Sequence, residues 1–128
     1  MATLTPTLSL LSTDASSDSL NFSVNTGLTT THTSSGPGKI SCATSSGTAL
    51  LTTAQTSIAY VYFKNTGKLA ADGATTANII TLQDAAGNTF LDLGAEEFAF
   101  FPLKGAKGLT AVSATAAVVG EFAFYTKG

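Results

Sequence analysis

Along "SLNFSVN", residues 19–25, Leu20, Phe22 and Val24 alternate strictly with Ser19, Asn21, Ser23 and Asn25. Successive side chains of a strand point to opposite faces, so this period of two spells a strand with one apolar face and one hydroxyl or amide face. The same period returns through most of the chain, and it constrains the fold more than any other feature. "GLTTTHTS" is β-branched nearly throughout and predicts a little-buried strand at a sheet edge. Gly36-Pro37-Gly38 predicts a turn, after which Ile40 and Cys42 alternate with Lys39 and Ser41. "TALLTT" predicts a short strand or a linker. In "SIAYVYFKN", Ile58, Tyr60 and Tyr62 share one face and Ala59, Val61 and Phe63 the other. Apolar character on both faces predicts a central strand, or one whose outer face meets another chain.

Further on, "NTGKLAADGATTA" predicts a long loop of small residues. "NIITLQDAAGNTFLDLG" predicts a hairpin, with Ile80 and Leu82 on the way up, Gly87-Asn88 in the turn, and Phe90 and Leu91 on the return. "LTAVSATAA" alternates again through Leu109, Ala111 and Ser113. No stretch carries a helical stripe; "TALLTTAQTSIA" comes closest, and its threonines count against it. Around ten short strands with regularly spaced turns predict an all-β, single-domain antiparallel β-sandwich or jelly-roll-like barrel. Pro6 and the Ser/Asp cluster from Ser12 to Ser19 set Leu4, Leu8, Leu10 and Leu11 apart. They predict a short N-terminal arm over residues 1–18, ahead of a sandwich domain over 19–128.

Glu-Phe-Ala-Phe occurs twice, as "EFAFFPLKG" at residues 97–105 and "EFAFYTKG" at 121–128. Alternation places Phe98 with Phe100 and Phe122 with Phe124, Ala99 and Ala123 lying opposite. The likeness does not extend past four residues, and repeat folds show at least three copies. The expectation is two strands in similar environments, each turning large side chains to a core and a small one outward.

Composition narrows the function. The chain is 44% hydrophobic but only 11% charged, with a net charge of −2 and six lysines as its only basic side chains besides one histidine. Ser and Thr make up about a quarter of it. Dispersed lysines offer no basic stripe for phosphates, which argues against nucleic acid as a partner. No apolar run approaches the ~20 residues that span a bilayer, so no membrane partner is expected. The opening stretch has neither a basic n-region nor a sustained apolar h-region, and synthesis in a cytoplasm is expected. A neutral, hydroxyl-rich surface has little self-repulsion and suits a protein with permanent neighbours.

Few residues of the chain point to chemistry. His32 is the one histidine, in a Thr-rich stretch with no motif to orient it as a base for Cys42 or a serine. Glu96 and Glu97 are neighbours that a strand would turn to opposite faces, and they read as a solvated turn. Asp84 and Asn88 read as hairpin-turn residues because their spacing does not match a calcium loop. One Cys and one His do not make a zinc site. No Gly-rich phosphate loop precedes a helix. Cys42 is expected to be a small buried hydrophobe. The chain is not expected to be an enzyme, and no cofactor or metal is expected.

The second half, "SIAYVYFKNTG" followed by "NIITLQDAAGNTFLDLGAEEFAFFPLKGAKGLTAVSATAAVVGEFAFYTKG", resembles small β-rich virion proteins of tailed bacteriophages. The likeness rests on a strand ending in Lys-Asn-Thr-Gly, a hairpin, the Glu-Phe-Ala-Phe-Phe-Pro-Leu strand, a Gly-Leu-x-Ala strand and a closing Glu-Phe strand. It covers residues 57–128. Capsid decoration (cement) proteins are the nearest kind, with tail or fibre components that bind a receptor or carbohydrate as the alternative. One departure is visible: Ala95-Glu96 stands where a Pro-Gly or Ala-Gly is expected. The resemblance implies a homo-oligomer, a trimer by expectation, on the capsid surface of the virion with the major capsid protein as partner. The surface expected to meet neighbours comprises Leu4, Leu8 and Leu10 of the arm with Tyr60, Tyr62 and Phe63 of the two-faced strand.

Overall fold

A computed structural model describes residues 1–15 and 19–128, and within them everything but the side chains of residues 32–35. Among the described residues eleven strands follow in order: β1 (Ala2–Leu4), β2 (Thr7–Ser12), β3 (Leu20–Asn25), β4 (Leu28–Cys42), β5 (Thr48–Leu51), β6 (Ala59–Leu69), β7 (Ile80–Gln83), β8 (Thr89–Leu93), β9 (Phe98–Leu103), β10 (Leu109–Ser113) and β11 (Val118–Lys127). They form a five-stranded sheet, β1-β4-β11-β6-β9, a four-stranded sheet, β5-β10-β7-β8, and a separate ribbon of β2 and β3. All pairings of these strands are antiparallel. The chain is all-β, and its two larger sheets pack as a sandwich, not as a closed barrel.

The core lies between those sheets. The five-stranded sheet contributes Cys42, Val61, Phe63 and Val118; the four-stranded sheet contributes Leu51, Ile80, Leu82, Leu93, Leu109 and Ala111. From β4 to β11 every connection except the β7–β8 hairpin crosses from one sheet to the other. Along one rim, Phe101 of β9 and Phe90 of β8 meet edge to face, with ring centroids 5.9 Å apart. Gly120 lets the Phe63 ring lie on the β11 backbone: a Cβ there would stand 2.4 Å from Phe63 Cζ.

Asn65 joins the two sheets. It is fully buried, and its Nδ2 donates to the carbonyls of Asn78 and Leu93, each at 2.9 Å. Its Oδ1 accepts from Gly67 N at 2.8 Å, its backbone N–H donates to Glu97 O, and its carbonyl accepts from Glu96 N. Thr66 Oγ1 donates to Val119 O at 2.7 Å, and Gly67 takes a left-handed φ of 67°. The Lys-Asn-Thr-Gly stretch is therefore a junction, and this is why β6 runs on to Leu69 where the sequence predicted a loop. Glu97 N donates to Gly94 O, closing a turn in which Glu96 holds φ 71°. That conformation costs an L-residue roughly 1–2 kcal/mol, which explains the expectation of glycine at this place.

Three expectations are corrected. Gly36-Pro37-Gly38 does not turn the chain, because β4 runs unbroken through it. Gly36 takes φ 93° and the pairing with β11 shifts register between Phe122 and Phe124, so a bulge absorbs the irregularity. The first residues are not wholly an arm: β1 pairs with β4 at the sheet edge, and the projecting element is the β2–β3 ribbon. The boundary expected at residue 18 falls outside the described residues. Third, the two Glu-Phe-Ala-Phe strands do not share an environment. Pairing of Lys64 with Phe98 and of Tyr62 with Phe100 turns those phenylalanines outward. Pairing of Phe63 with Phe122 and of Val61 with Phe124 turns the second pair into the core.

This inversion sets an expected contrast in stability. Phe124→Ala should cost about 2–4 kcal/mol and Phe98→Ala about 1 kcal/mol or less in the isolated chain. Urea unfolding followed by circular dichroism measures both, and equal losses would contradict the assigned faces.

Candidate interaction surface

The outer face of the five-stranded sheet is aromatic. Tyr60, Tyr62 and Lys64 of β6 stand beside Pro102, Phe100 and Phe98 of β9 on one side and Tyr125, Ala123 and Glu121 of β11 on the other. Tyr60 is only 8% exposed and stacks on Phe100, with centroids 6.3 Å apart and ring planes 15° from parallel. Phe98, at the rim, is 57% exposed. Tyr62 donates its phenol hydrogen to Glu121 Oε1 at 2.8 Å. Desolvation, then that hydrogen bond and the negative charge of Glu121, push the Tyr62 phenol up to about 12.

The ribbon supplies a second apolar surface. Its register sets Leu8 opposite Val24, Leu10 opposite Phe22 and Ser12 opposite Leu20, so these side chains share one face. No strand of the sandwich pairs with either ribbon strand. Leu10 is 45% exposed and Phe22 49%. The half-buried strand predicted for "SLNFSVN" thus has its apolar face, but among the described residues no sheet covers it beyond its root. At its root the ribbon's Leu8 and Val24 form one wall of an open apolar cleft of about 470 Å³, and Phe98, Ala99 and Phe100 form another. Neither ribbon strand carries a charged residue, nor does β9.

The total exposed surface reflects this. At 7307 Å² it exceeds by about 1,000 Å² the roughly 6,300 Å² expected of a compact 12.9 kDa monomer.

Of the residues expected to meet neighbours, Leu8 and Leu10 lie on the ribbon's apolar face. Leu4 is half-buried at the end of β1 and lines a second cleft with Pro37, Tyr62, Phe98 and Tyr125. Tyr60 and Tyr62 lie on the outer face, Tyr60 beneath Phe100. Phe63 is a correction: it is 0% exposed in the core, because its register with Ala99 and Phe122 turns it inward. The sequence reading missed Phe98, Phe100, Phe22 and Val24 as surface residues. Alternation groups them by face, but only strand register says which face is covered.

Asp84 accepts from Asn88 Nδ2 and from the backbone N–H groups of Asn88 and Ala86, which holds its carboxyl below the usual range. Glu96 and Glu97 are exposed in their turn. Cys42 is fully buried, and burial pushes its thiol up to about 11. The His32 side chain lies outside the described residues. Among the described residues no group of three or more His, Cys, Asp or Glu is placed to hold a metal ion.

Raised values at Cys42 and Tyr62 set an alkaline limit. Both groups are favoured in their neutral forms by folding, so their contribution is complete below the unfolded values, near 9 for the thiol and 10 for the phenol. It is lost as pH rises through about 11 and then about 12. The urea midpoint should therefore hold to pH 9 and fall between 9 and 12. Tyr62→Phe should remove the upper part of that fall; an unchanged profile in the variant would contradict the assignment.

Comparison of the chain with protein-family models, with curated protein sequences and with solved structures finds no match.

Proposed function

We propose that the chain is a structural protein of a bacteriophage virion: a capsid decoration or cement protein that binds the capsid surface as a homo-oligomer, a trimer, and braces neighbouring subunits of the major capsid protein. The observation that carries this reading is the ribbon, whose apolar face lies mostly uncovered among the described residues. An isolated two-stranded hairpin is marginal in water, and an apolar surface of this extent marks a contact with another chain. The excess of about 1,000 Å² is of the order of the ~800 Å² that each partner gives to a standard interface. The Lys-Asn-Thr-Gly and Glu-Phe-Ala-Phe stretches on which the phage resemblance rests agree with this reading. The function would be mechanical: surface buried across subunit boundaries must be re-exposed before the shell can be pulled apart.

The aromatic clefts on the outer face favour a second reading, a tail or fibre component that takes a receptor or a sugar by stacking. Abundance separates the two. In purified virions, mass spectrometry should find the chain in numbers comparable to the major capsid protein; a few copies per particle would favour the tail.

Assembly itself is checked by light scattering behind a sizing column. A mass three times that of the chain is expected. A clean monomer at every concentration would contradict self-assembly.

A further inference from the structure

The molecule carries two uncovered apolar surfaces of different shape: a narrow ribbon of mostly aliphatic side chains and a broad aromatic rim. We propose that the ribbon of one copy seats on the Phe98–Phe100 rim of a second copy. This inference rests on the assembly reading above and names the contact.

Four observations point to a second copy. The ribbon's apolar face runs from Leu8 and Val24 at the root to Leu10, Phe22 and Leu20 farther along. Only the root lies against the chain's own β9, and the cleft between them is open. Among the described residues the outer half packs on no other strand, whereas the β9 rim of another copy offers Phe98 and Phe100, 57% and 38% exposed. Neither surface bears charge, so neither selects a charged partner such as nucleic acid or an acidic peptide. One surface supplies mostly aliphatic side chains and the other flat rings, and seating one on the other removes apolar area of both from water. Finally, the excess exposed area matches one partner's share of a standard interface.

A contact of ribbon to rim joins two different patches, so it is head-to-tail. Three such contacts close the proposed trimer into a ring. Each copy then gives one ribbon and receives one.

That property supplies the test. Phe22→Asp spoils the ribbon and leaves the rim; Phe98→Asp spoils the rim and leaves the ribbon. Both side chains face solvent, so each variant should keep the circular dichroism of the parent chain. Each alone should assemble at least tenfold more weakly than the parent. Mixed, they should form a one-to-one dimer, because one intact ribbon meets one intact rim. Leu10→Asp with Phe100→Asp forms a second pair if one of the first fails to fold. Undiminished assembly of either variant alone would overturn the proposal, the survivor showing whether ribbon meets ribbon or rim meets rim. A mixture that stays monomeric would overturn it as well and place another protein on these surfaces. A monomeric parent chain would instead remove the assembly reading on which the proposal rests.

Discussion

A buried amide must have all its hydrogen-bonding groups satisfied, and the way Asn65 meets that demand organises this protein. Its side chain reaches Asn78 and Leu93 on the way into and out of the β7–β8 hairpin, while its backbone pairs with the turn that launches β9. The two sheets are thus tied at one residue. The same bonds fix the register of β9 on β6, with Lys64 opposite Phe98. A slip of one residue would exchange the faces of β9 and bring Phe98 and Phe100 into the core. The aromatic rim on the outside is in this sense a consequence of the knot at Asn65.

Much of the fold is legible in the sequence because alternation is a local signal. "SLNFSVN", "SIAYVYFKN", "LTAVSATAA" and the "DAAGN" hairpin all form the strands and turn that their residues predict. What the pattern lacks is the other side of each strand. It groups Leu20, Phe22 and Val24 on one face, yet it does not say that no sheet covers them. It writes Glu-Phe-Ala-Phe twice in the same letters, and the register inverts their meaning. Phe63 shows the limit from the opposite direction: placed on a face expected to meet another chain, it fills the core instead. At Gly36-Pro37-Gly38 the residues of a turn sit inside a 15-residue strand, because β4 itself bulges there, its extra residue lying between the partners of Phe122 and Phe124. Asn65 was visible as part of a motif, but its role depends on carbonyls 13 and 28 residues away.

Several acidic groups have structural partners: Asp84 organises its own turn, Glu121 accepts from Tyr62, and Glu97 accepts from Gly94 N. What remains conspicuous is apolar surface without cover. In a chain of so little charge, such surface is a liability in isolation and an asset in an assembly. On the proposed reading the sandwich folds around its own core, and a second copy stabilises the ribbon by covering it.

Amide hydrogen exchange across a dilution series tests this division most directly. The account predicts strong protection around Asn65 and across β6 at every concentration. Protection of β2 and β3 should appear only where the oligomer is populated. A ribbon as protected in the dilute monomer as in the assembly, or one that exchanges freely in both, would contradict it.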